Sequence, residues 1–408
     1  MAEERMTRMI RNPKGCDNIG GALAANMEEC RGALMHLFSL YGYHPFSPAE
    51  FQLIEDVWGK LSTARARRLI PVMSPLGEPC VLRGDLTLSA VAYLAGHHTQ
   101  SEWPLRLSYA DRVYSVPAPP KSNLEESQVG VELIGCDDEG ADAEAAALLF
   151  RALDLLGIEN SAVVLGDVSF LSYLFSPLPQ ALSSELADAL SERAYTRYSA
   201  LLGSAPLSGE KLRLLKRIPL LKGNAAVIGE AMALLDDPGI LMPLRRLCGE
   251  LCSLGYERRL RVDLSFVRDL GYYSGPIYNA YSADGALLGG GGRYDGLLAA
   301  EGIGGQAVGF GLNLKELASH CAAQQRAPLV TLWCGGCKSS DALRYADALS
   351  KKDVLFELSW TRDAEASRAG AKRRGSRWWA DLGAKSALML ARDRAASLKD
   401  FEEEALSC

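Results

Sequence analysis

The stretch Gly289-Gly290-Gly291-Gly292-Arg293-Tyr294-Asp295-Gly296 places four glycines in a row ahead of an arginine, a tyrosine and an aspartate. A phosphate cradle needs Lys-Ser/Thr opening a helix directly after its glycines, and Arg-Tyr-Asp stands there instead, so the stretch is not a P-loop. Glycines inside a strand mark places where a ligand or another backbone comes close, a tight bend being the plainer alternative. The flanks read as strands. Tyr272–Tyr281 and Ala286–Gly292 are β-like runs, Leu260, Val262 and Leu264 alternate before them, and Gln306–Phe310 runs into an amphipathic helix at Leu312–Cys321. Together they predict a group of antiparallel strands that ends in a helix.

Further out, Leu105–Tyr114 and Gly130–Ile134 read as an antiparallel pair separated by the Pro-, Ser- and Asn-bearing stretch 117–123. Met27, Cys30, Leu34, Leu37 and Tyr41 recur at spacings of three and four, which lays one apolar stripe along a helix that Gly42 ends. Residues 45–85 mix Pro, Ser and short apolar runs. A strand should end near Arg83, and Asp85 or Thr87 should cap a helix through Leu88, Val91, Ala92 and Ala95. A helix over 141–156, stopped by Gly157, precedes a short strand at Ser161–Leu165. From about 170 to 254, Leu and Ala at helical spacing, punctuated by Pro177, Pro179, Pro206, Pro219 and Pro238, predict an all-helical insertion. After a polar joint at Arg326–Pro328, a βαβ-like tail combines Leu329–Trp333, a helix at Ala342–Leu349, Val354–Leu358, a basic helical stretch and Ala387–Leu390.

The chain has 408 residues, enough for two or three domains. We expect a core over residues 1–325, containing the helical insertion, and a small α/β domain over 326–408. No apolar stretch approaches the roughly 18 residues of a membrane span. With 44 basic against 50 acidic side chains the net charge is −6, so the overall field repels a phosphate backbone and no nucleic-acid partner is expected. The mixed charges of the first residues leave no apolar secretory signal, and a cytoplasmic protein is expected. The ten cysteines are scattered, as buried reduced thiols would be. Cys334 and Cys337 have the spacing of half a zinc site or a redox pair, yet no second CxxC or His pair follows, and no metal is expected.

Polar side chains at strand ends are the candidates for chemistry. Asp85 and Thr87 follow Arg83, and Gln128 and Glu132 stand at i,i+4, which in a strand puts both on one face. Arg268, Tyr272 and Tyr273 bracket another strand start. Jointly they suit a small polar ligand.

In this order the segments resemble class II histidyl-tRNA synthetases and their non-aminoacylating relatives. Leu82-Arg-Gly-Asp85-Leu-Thr87 is similar to the family's strand-end "LRPD/E-x-T". Leu105–Tyr114 and Gln128-Val-Gly-Val-Glu132 are similar to the two strands of motif 2. Val267-Arg268 through Tyr272-Tyr273 and Gly291-Gly-Arg-Tyr-Asp-Gly296 are similar to the two histidine-specific motifs, and Ala307-Val-Gly-Phe310 to the start of motif 3. Pro13-Lys-Gly15 with the helix to Gly42 resembles the approach to motif 1. The likeness runs from about residue 12 to 318.

The resemblance implies an α+β fold: an antiparallel sheet of six or seven strands flanked by helices, with the helical insertion and the small α/β domain. It also implies a pocket in which Glu132 and Tyr272 read an imidazole, Asp85 and Thr87 hold an α-amino group, and Gln128 and Arg268 bind near a carboxylate, with Tyr273 beside them. The set is chemically complete for free histidine. The departures lie at the ATP site. Where motif 2 of a working synthetase carries an arginine after its aromatic, Ser115 follows Tyr114; where motif 3 ends in arginine, Asn313-Leu-Lys-Glu316 ends in a carboxylate. Charge-assisted contacts to phosphate are worth about 1.5–3 kcal/mol each, so activation should be suppressed.

A protein that binds histidine and cannot activate it is a sensor. The relatives with that profile are regulatory subunits of short-form ATP phosphoribosyltransferase, and the resemblance implies a non-catalytic role with no cofactor. Its implied partners are a separate catalytic subunit and L-histidine as effector, in a homodimer within a hetero-oligomer. An active histidyl-tRNA synthetase, or another synthetase-like paralogue, is the alternative.

Overall fold

The structure is a computed structural model that describes residues 12–58, 66–97, 103–117, 123–205, 209–267, 272–321 and 328–405. The chain divides into two compact units, Met1–Ala323 and Gln324–Cys408.

The first unit contains strands β1 (His44–Pro45), β2 (Phe51–Leu53), β3 (Ile70–Met73), β4 (Pro79–Leu82), β5 (Leu105–Tyr114), β6 (Glu125–Ile134), β7 (Ala162–Asp167), β8 (Lys222–Gly223), β9 (Leu260–Asp263), β10 (Pro276–Tyr281), β11 (Leu287–Arg293) and β12 (Ala307–Asn313). Nine of them form one sheet in the order β1-β5-β6-β12-β11-β10-β7-β9-β8. From β5 to β7 every neighbour is antiparallel. At the edges β1 joins β5 and β9 joins β7 in parallel, while β8 pairs antiparallel with β9. The large sheet is therefore mixed and longer than the six or seven antiparallel strands expected. Two-residue strands such as β1 and β8 are too short to leave an alternating pattern, and alternation does not encode direction.

Other boundaries shift for local reasons. β6 starts at Glu125, five residues before the apolar run, because its first half faces a polar cleft. β10 starts at Pro276, leaving Tyr272 and Tyr273 ahead of the strand. Lys222–Gly223 interrupts the helical block as an edge strand. Residues 45–85 hold a separate antiparallel sheet, β2-β4-β3, that the mixed composition concealed.

Helix Gly21–Leu40 buries Cys30, Leu34 and Leu37 of the expected stripe together with Phe38, while Met27 is half-buried and Tyr41 lies exposed just past the helix end. It packs with helix Gly140–Leu155 on one sheet face, where Val129, Val131 and Leu133 of β6 point. Leu186, Tyr198, Leu215 and Leu244 of the helical block belong to the same continuous core. Helix Leu86–His97 and helix Asp295–Ala300 share a second buried cluster with Leu107, Tyr272 and Tyr294. Period-two alternation along β6 thus sends its valines into one core and its even-numbered polar residues to the opposite face.

The second unit has a five-stranded sheet of β13 (Val330–Trp333), β14 (Phe356–Ser359), β15 (Trp378–Asp381), β16 (Ser386–Met389) and β17 (Arg394–Ser397), in the order β14-β13-β15-β16-β17. β13 is parallel to both neighbours, and the remaining pairs are antiparallel. The basic stretch is helix Ala364–Arg373, and it is followed by β15, whose Trp378 is fully buried against Phe401. β15 and β17 extend the expected βαβ tail.

Candidate functional site

The sheet register builds the site. Tyr109, Gly130, Gly311 and Gly290 stand opposite one another across β5, β6, β12 and β11. Directly opposed residues share a face, so three glycines in a transverse row strip that face of side chains. The rows on either side carry polar groups: Glu132 opposite Gly309, and Gln128 opposite Asn313. A cavity of about 270 Å³ lies over this floor, lined by Asp85, Thr87, Tyr109, Gln128, Tyr273, Gly290 and Gly311 among others.

Asp85 is the N-cap of helix Leu86–His97: its Oδ1 accepts the Leu88 N–H at 2.7 Å and the Tyr272 hydroxyl at 3.0 Å. One carboxylate therefore fixes both the helix start and the aromatic that closes over it. Thr87, two residues on, donates to Glu132 Oε1 at 2.5 Å.

Glu132 is fully buried just behind the cavity. Tyr294 donates to its Oε2 at 2.7 Å, and Tyr109 lies 3.3 Å from Oε1. Burial pushes its carboxyl up to about 8; the hydroxyls of Thr87, Tyr294 and Tyr109 oppose that rise, while the Asp85 charge adds to it. Burial also raises the Tyr109 and Tyr294 phenols well above their ordinary value, which keeps them as donors at neutral pH.

Of the residues that sequence singled out, Asp85, Thr87, Gln128 and Tyr273 line the cavity, and Glu132 and Tyr272 adjoin it through their hydrogen bonds to Thr87 and Asp85. Arg268 lies outside the described residues. Tyr109 and Tyr294, absent from that set, complete the hydroxyl ring. The sequence shows their positions, Tyr109 inside the β5 run and Tyr294 separated from the last of the four glycines by Arg293, and not their roles.

A second, larger groove of about 910 Å³ adjoins the cavity and shares Asn123, Glu126, Gln128, Leu287 and Asn313 with it. Its walls include Glu28 and Arg31 of helix Gly21–Leu40, and Lys315 and Glu316 of helix Leu314–His320. Its cations are matched by acids: Arg31 pairs with Glu28, Arg112 with Glu125 at 3.5 Å, and Lys315 with Asp17 at 3.9 Å. At the cavity rim Arg68 reaches Ser115 Oγ at 3.4 Å and the Val116 carbonyl at 2.9 Å. No sequence pattern links residue 68 to 115, so that guanidinium was not foreseeable.

The Arg293 side chain of the glycine motif faces away from ligand chemistry: it clasps buried Asp142 through Nε and Nη2 and reaches Gln306 Oε1 at 2.6 Å. Among the described residues no three His, Cys, Asp or Glu side chains gather as a metal site. Cys334 and Cys337 each direct their sulfur at a backbone carbonyl. No helix of the described residues is long and apolar enough to cross a membrane.

The histidyl-tRNA synthetase family profile matches residues 15–317. An ATP phosphoribosyltransferase regulatory subunit of Shouchella clausii is 30% identical over 360 residues, covering 86% of this chain and 91% of that protein. One from Moorella thermoacetica is 28% identical, covering 90% and 97%. A Bacillus halodurans structure described as an ATP phosphoribosyltransferase regulatory subunit/histidyl-tRNA synthetase superposes with a TM-score of 0.79 at 25% identity, covering 91% of this chain and 97% of the other. A Nostoc histidyl-tRNA synthetase shares the fold at a TM-score of 0.78, 14% identity and 98% and 99% coverage. With three quarters of its length inside that profile and its full-length similarity to the regulatory subunits, the chain belongs to the histidyl-tRNA synthetase-like family of ATP phosphoribosyltransferase regulatory subunits.

Proposed function

We propose that this chain is a non-catalytic regulatory subunit in histidine biosynthesis, required for the activity of a short-form ATP phosphoribosyltransferase catalytic subunit, and that it senses free L-histidine. The observation that carries the reading is the pairing of a small polar cavity with an altered ATP site. At about 270 Å³ the cavity is below the ~300–1,000 Å³ of sites for drug-sized ligands, as suits an amino acid. Its carboxylates, hydroxyls and amide suit an ammonium and an imidazole. An imidazole N–H donating to Glu132 and an ammonium donating to Asp85 would replace the Thr87 and Tyr272 hydroxyls at those oxygens, while Gln128 and Arg268 would hold the ligand's carboxylate. Ser115 and Glu316 stand where the family's phosphate-binding arginines are expected, and the adjoining groove has its cations paired with acids.

In this reading the chain works as a homodimer within a hetero-oligomer. Tyr273 and the glycine strand Gly289–Gly292 pass the effect of histidine to the partner, since glycines let a backbone shift when the pocket fills. Coupling is reciprocal for binding, so catalytic ligands that favour the active assembly weaken histidine affinity by the same factor, typically about 5–150-fold.

The test reconstitutes the chain with a short catalytic subunit and titrates histidine. The reading expects higher turnover in the complex than in the catalytic subunit alone, inhibition by histidine of the complex only, and a loss of that inhibition in Arg268→Ala. ATP–pyrophosphate exchange with histidine should stay at background. Robust exchange would favour the synthetase alternative, and a mutant complex inhibited at the wild-type histidine concentration would move the sensor site elsewhere.

A further inference from the structure

Helix Gly21–Leu40 and the end of helix Leu314–His320 meet at a contact between two cysteines, 291 residues apart in sequence, that lies outside the proposed histidine pocket. Cys30 Sγ and Cys321 Sγ are 3.4 Å apart. One turn before Cys30, Asn26 donates from Nδ2 to the Ala318 carbonyl at 3.3 Å, which fixes the register of the two helices. A disulfide needs its sulfurs at about 2.05 Å, so they must close by little more than 1 Å.

The two sulfurs differ in environment. Cys30 is 3% exposed, whereas Cys321, just past the helix end, is only half-buried. Beside Cys321 in sequence, His320 has acceptors at both ring nitrogens: the Glu316 carbonyl 2.8 Å from Nδ1 and Asp284 Oδ1 3.1 Å from Nε2. Two acceptors favour the doubly protonated ring, and its pKa is raised accordingly. The Cys30 contact and this neighbouring cation hold the Cys321 thiol below its ordinary value, against the effect of burial. A thiol whose pKa is lowered, with partial access, beside a cation and in contact with a second thiol, is the arrangement of a reactive cysteine with its resolving partner.

We propose that Cys30 and Cys321 form a reversible disulfide by exchange with a low-molecular-weight disulfide such as oxidised glutathione. The Cys321 thiolate attacks one sulfur of the reagent, the reagent's S–S bond breaks, and one small thiolate leaves and takes up a proton. Cys30 then gives up its proton and attacks Cys321 Sγ, expelling the second small thiol. Two protein thiols are oxidised and one small disulfide is reduced to two thiols. The bond fastens together two helices that each contribute walls to the 910 Å³ groove, through Glu28 and Arg31 on one and Lys315 and Glu316 on the other.

The test incubates the folded full-length protein in oxidised and reduced glutathione at varied ratios, quenches free thiols with an alkylating reagent, and maps non-reduced peptides by mass spectrometry. A Cys30–Cys321 linked peptide should appear with oxidised glutathione and vanish with excess reductant. Cys30→Ser should accumulate one glutathione on Cys321, whereas Cys321→Ser should leave Cys30 unmodified in the folded state. Wild-type mapping needs no variant, so a misfolded mutant does not blunt the result. The proposal is overturned if the linked peptide is absent at every ratio, or if it forms only after denaturant is added. Linkage of Cys334 to Cys337 in its place would overturn it as well.

Discussion

Glu132 of β6 and Gly309 of β12 face each other in register, and the buried carboxylate occupies the space that a side chain at 309 would fill. A Cβ on Gly309 would stand 2.7 Å from Glu132 Cδ and overlap its Oε2 as well as the Val131 carbonyl. The neighbouring atoms are strand backbone and a carboxylate held by three hydroxyls, so none yields cheaply. Gly309→Ala should therefore cost about 1–3 kcal/mol or more in urea unfolding. Where the variant still folds, it should bind histidine at least about tenfold more weakly by calorimetry, because Glu132 must move. An unchanged denaturation midpoint would mean that the two strands are spaced differently.

The raised Glu132 carboxyl makes a statement about stability and pH. Its folded value of about 8 exceeds the ordinary 4.5, so between these values the folded chain keeps a proton that the unfolded chain has released. Its contribution is full below about pH 4.5 and is lost as pH rises through 8, with a slope of at most about 1.4 kcal/mol per pH unit. Buried Asp167, pushed up to about 6, acts in the same direction but over a lower window. The informative quantity is thus wild type minus Glu132→Gln between pH 6.5 and 8. That difference should fall with pH, and a flat difference would show that Glu132 does not titrate there.

How much of this was legible from sequence depends on length and burial. Helix Gly21–Leu40 repeats its apolar stripe over several turns, and β5 was readable from Leu105 to Tyr114 because its run is ten residues long. β2, β3 and β4 have three or four residues each, and β2 and β3 alternate only between exposed and half-buried positions, with Phe51 and Met73 exposed, so no buried apolar run sets those two apart from a loop. In the site, Asp85, Thr87, Gln128 and Glu132 were found because a motif or a two-residue period relates them. The enclosing roles of Tyr109, set by its register beside β6, and of Tyr294, at the turn between β11 and the next helix, come from contacts with Glu132 that no single strand carries. Arg68 beside Ser115 depends on tertiary packing alone.

Asp85 has two roles that substitution can separate. As N-cap it accepts the Leu88 N–H, and as a carboxylate it faces the cavity. Asn caps about as well as Asp, whereas Ala loses about 1–2 kcal/mol. Asp85→Asn should keep the thermal midpoint near wild type while weakening histidine binding by about tenfold or more, since the charge proposed to face the ligand's ammonium is gone. Asp85→Ala should lose both. Equal affinity of wild type and Asp85→Asn would remove this carboxylate from ligand recognition.

The arginine of the glycine motif should behave as a structural ion-pair partner. Arg293 is 7% and Asp142 4% exposed, and the guanidinium grips the carboxylate through Nε at 3.0 Å and Nη2 at 2.6 Å. Burial already raises the Asp142 carboxyl despite that partner, so its charged form depends on Arg293. Arg293→Met strands the acid in the core and should cost about 3–5 kcal/mol, whereas replacing both members by apolar residues of similar volume is often far less costly. The double variant Arg293→Met/Asp142→Leu should therefore be more stable than Arg293→Met alone by about 2 kcal/mol, short of wild type because Gln306 Oε1 loses its donor. Chemical denaturation of the four proteins in one double-mutant cycle measures the coupling. If the double variant is no more stable than the single, Arg293 and Asp142 do not depend on each other, and the glycine motif's arginine must be assigned some other role.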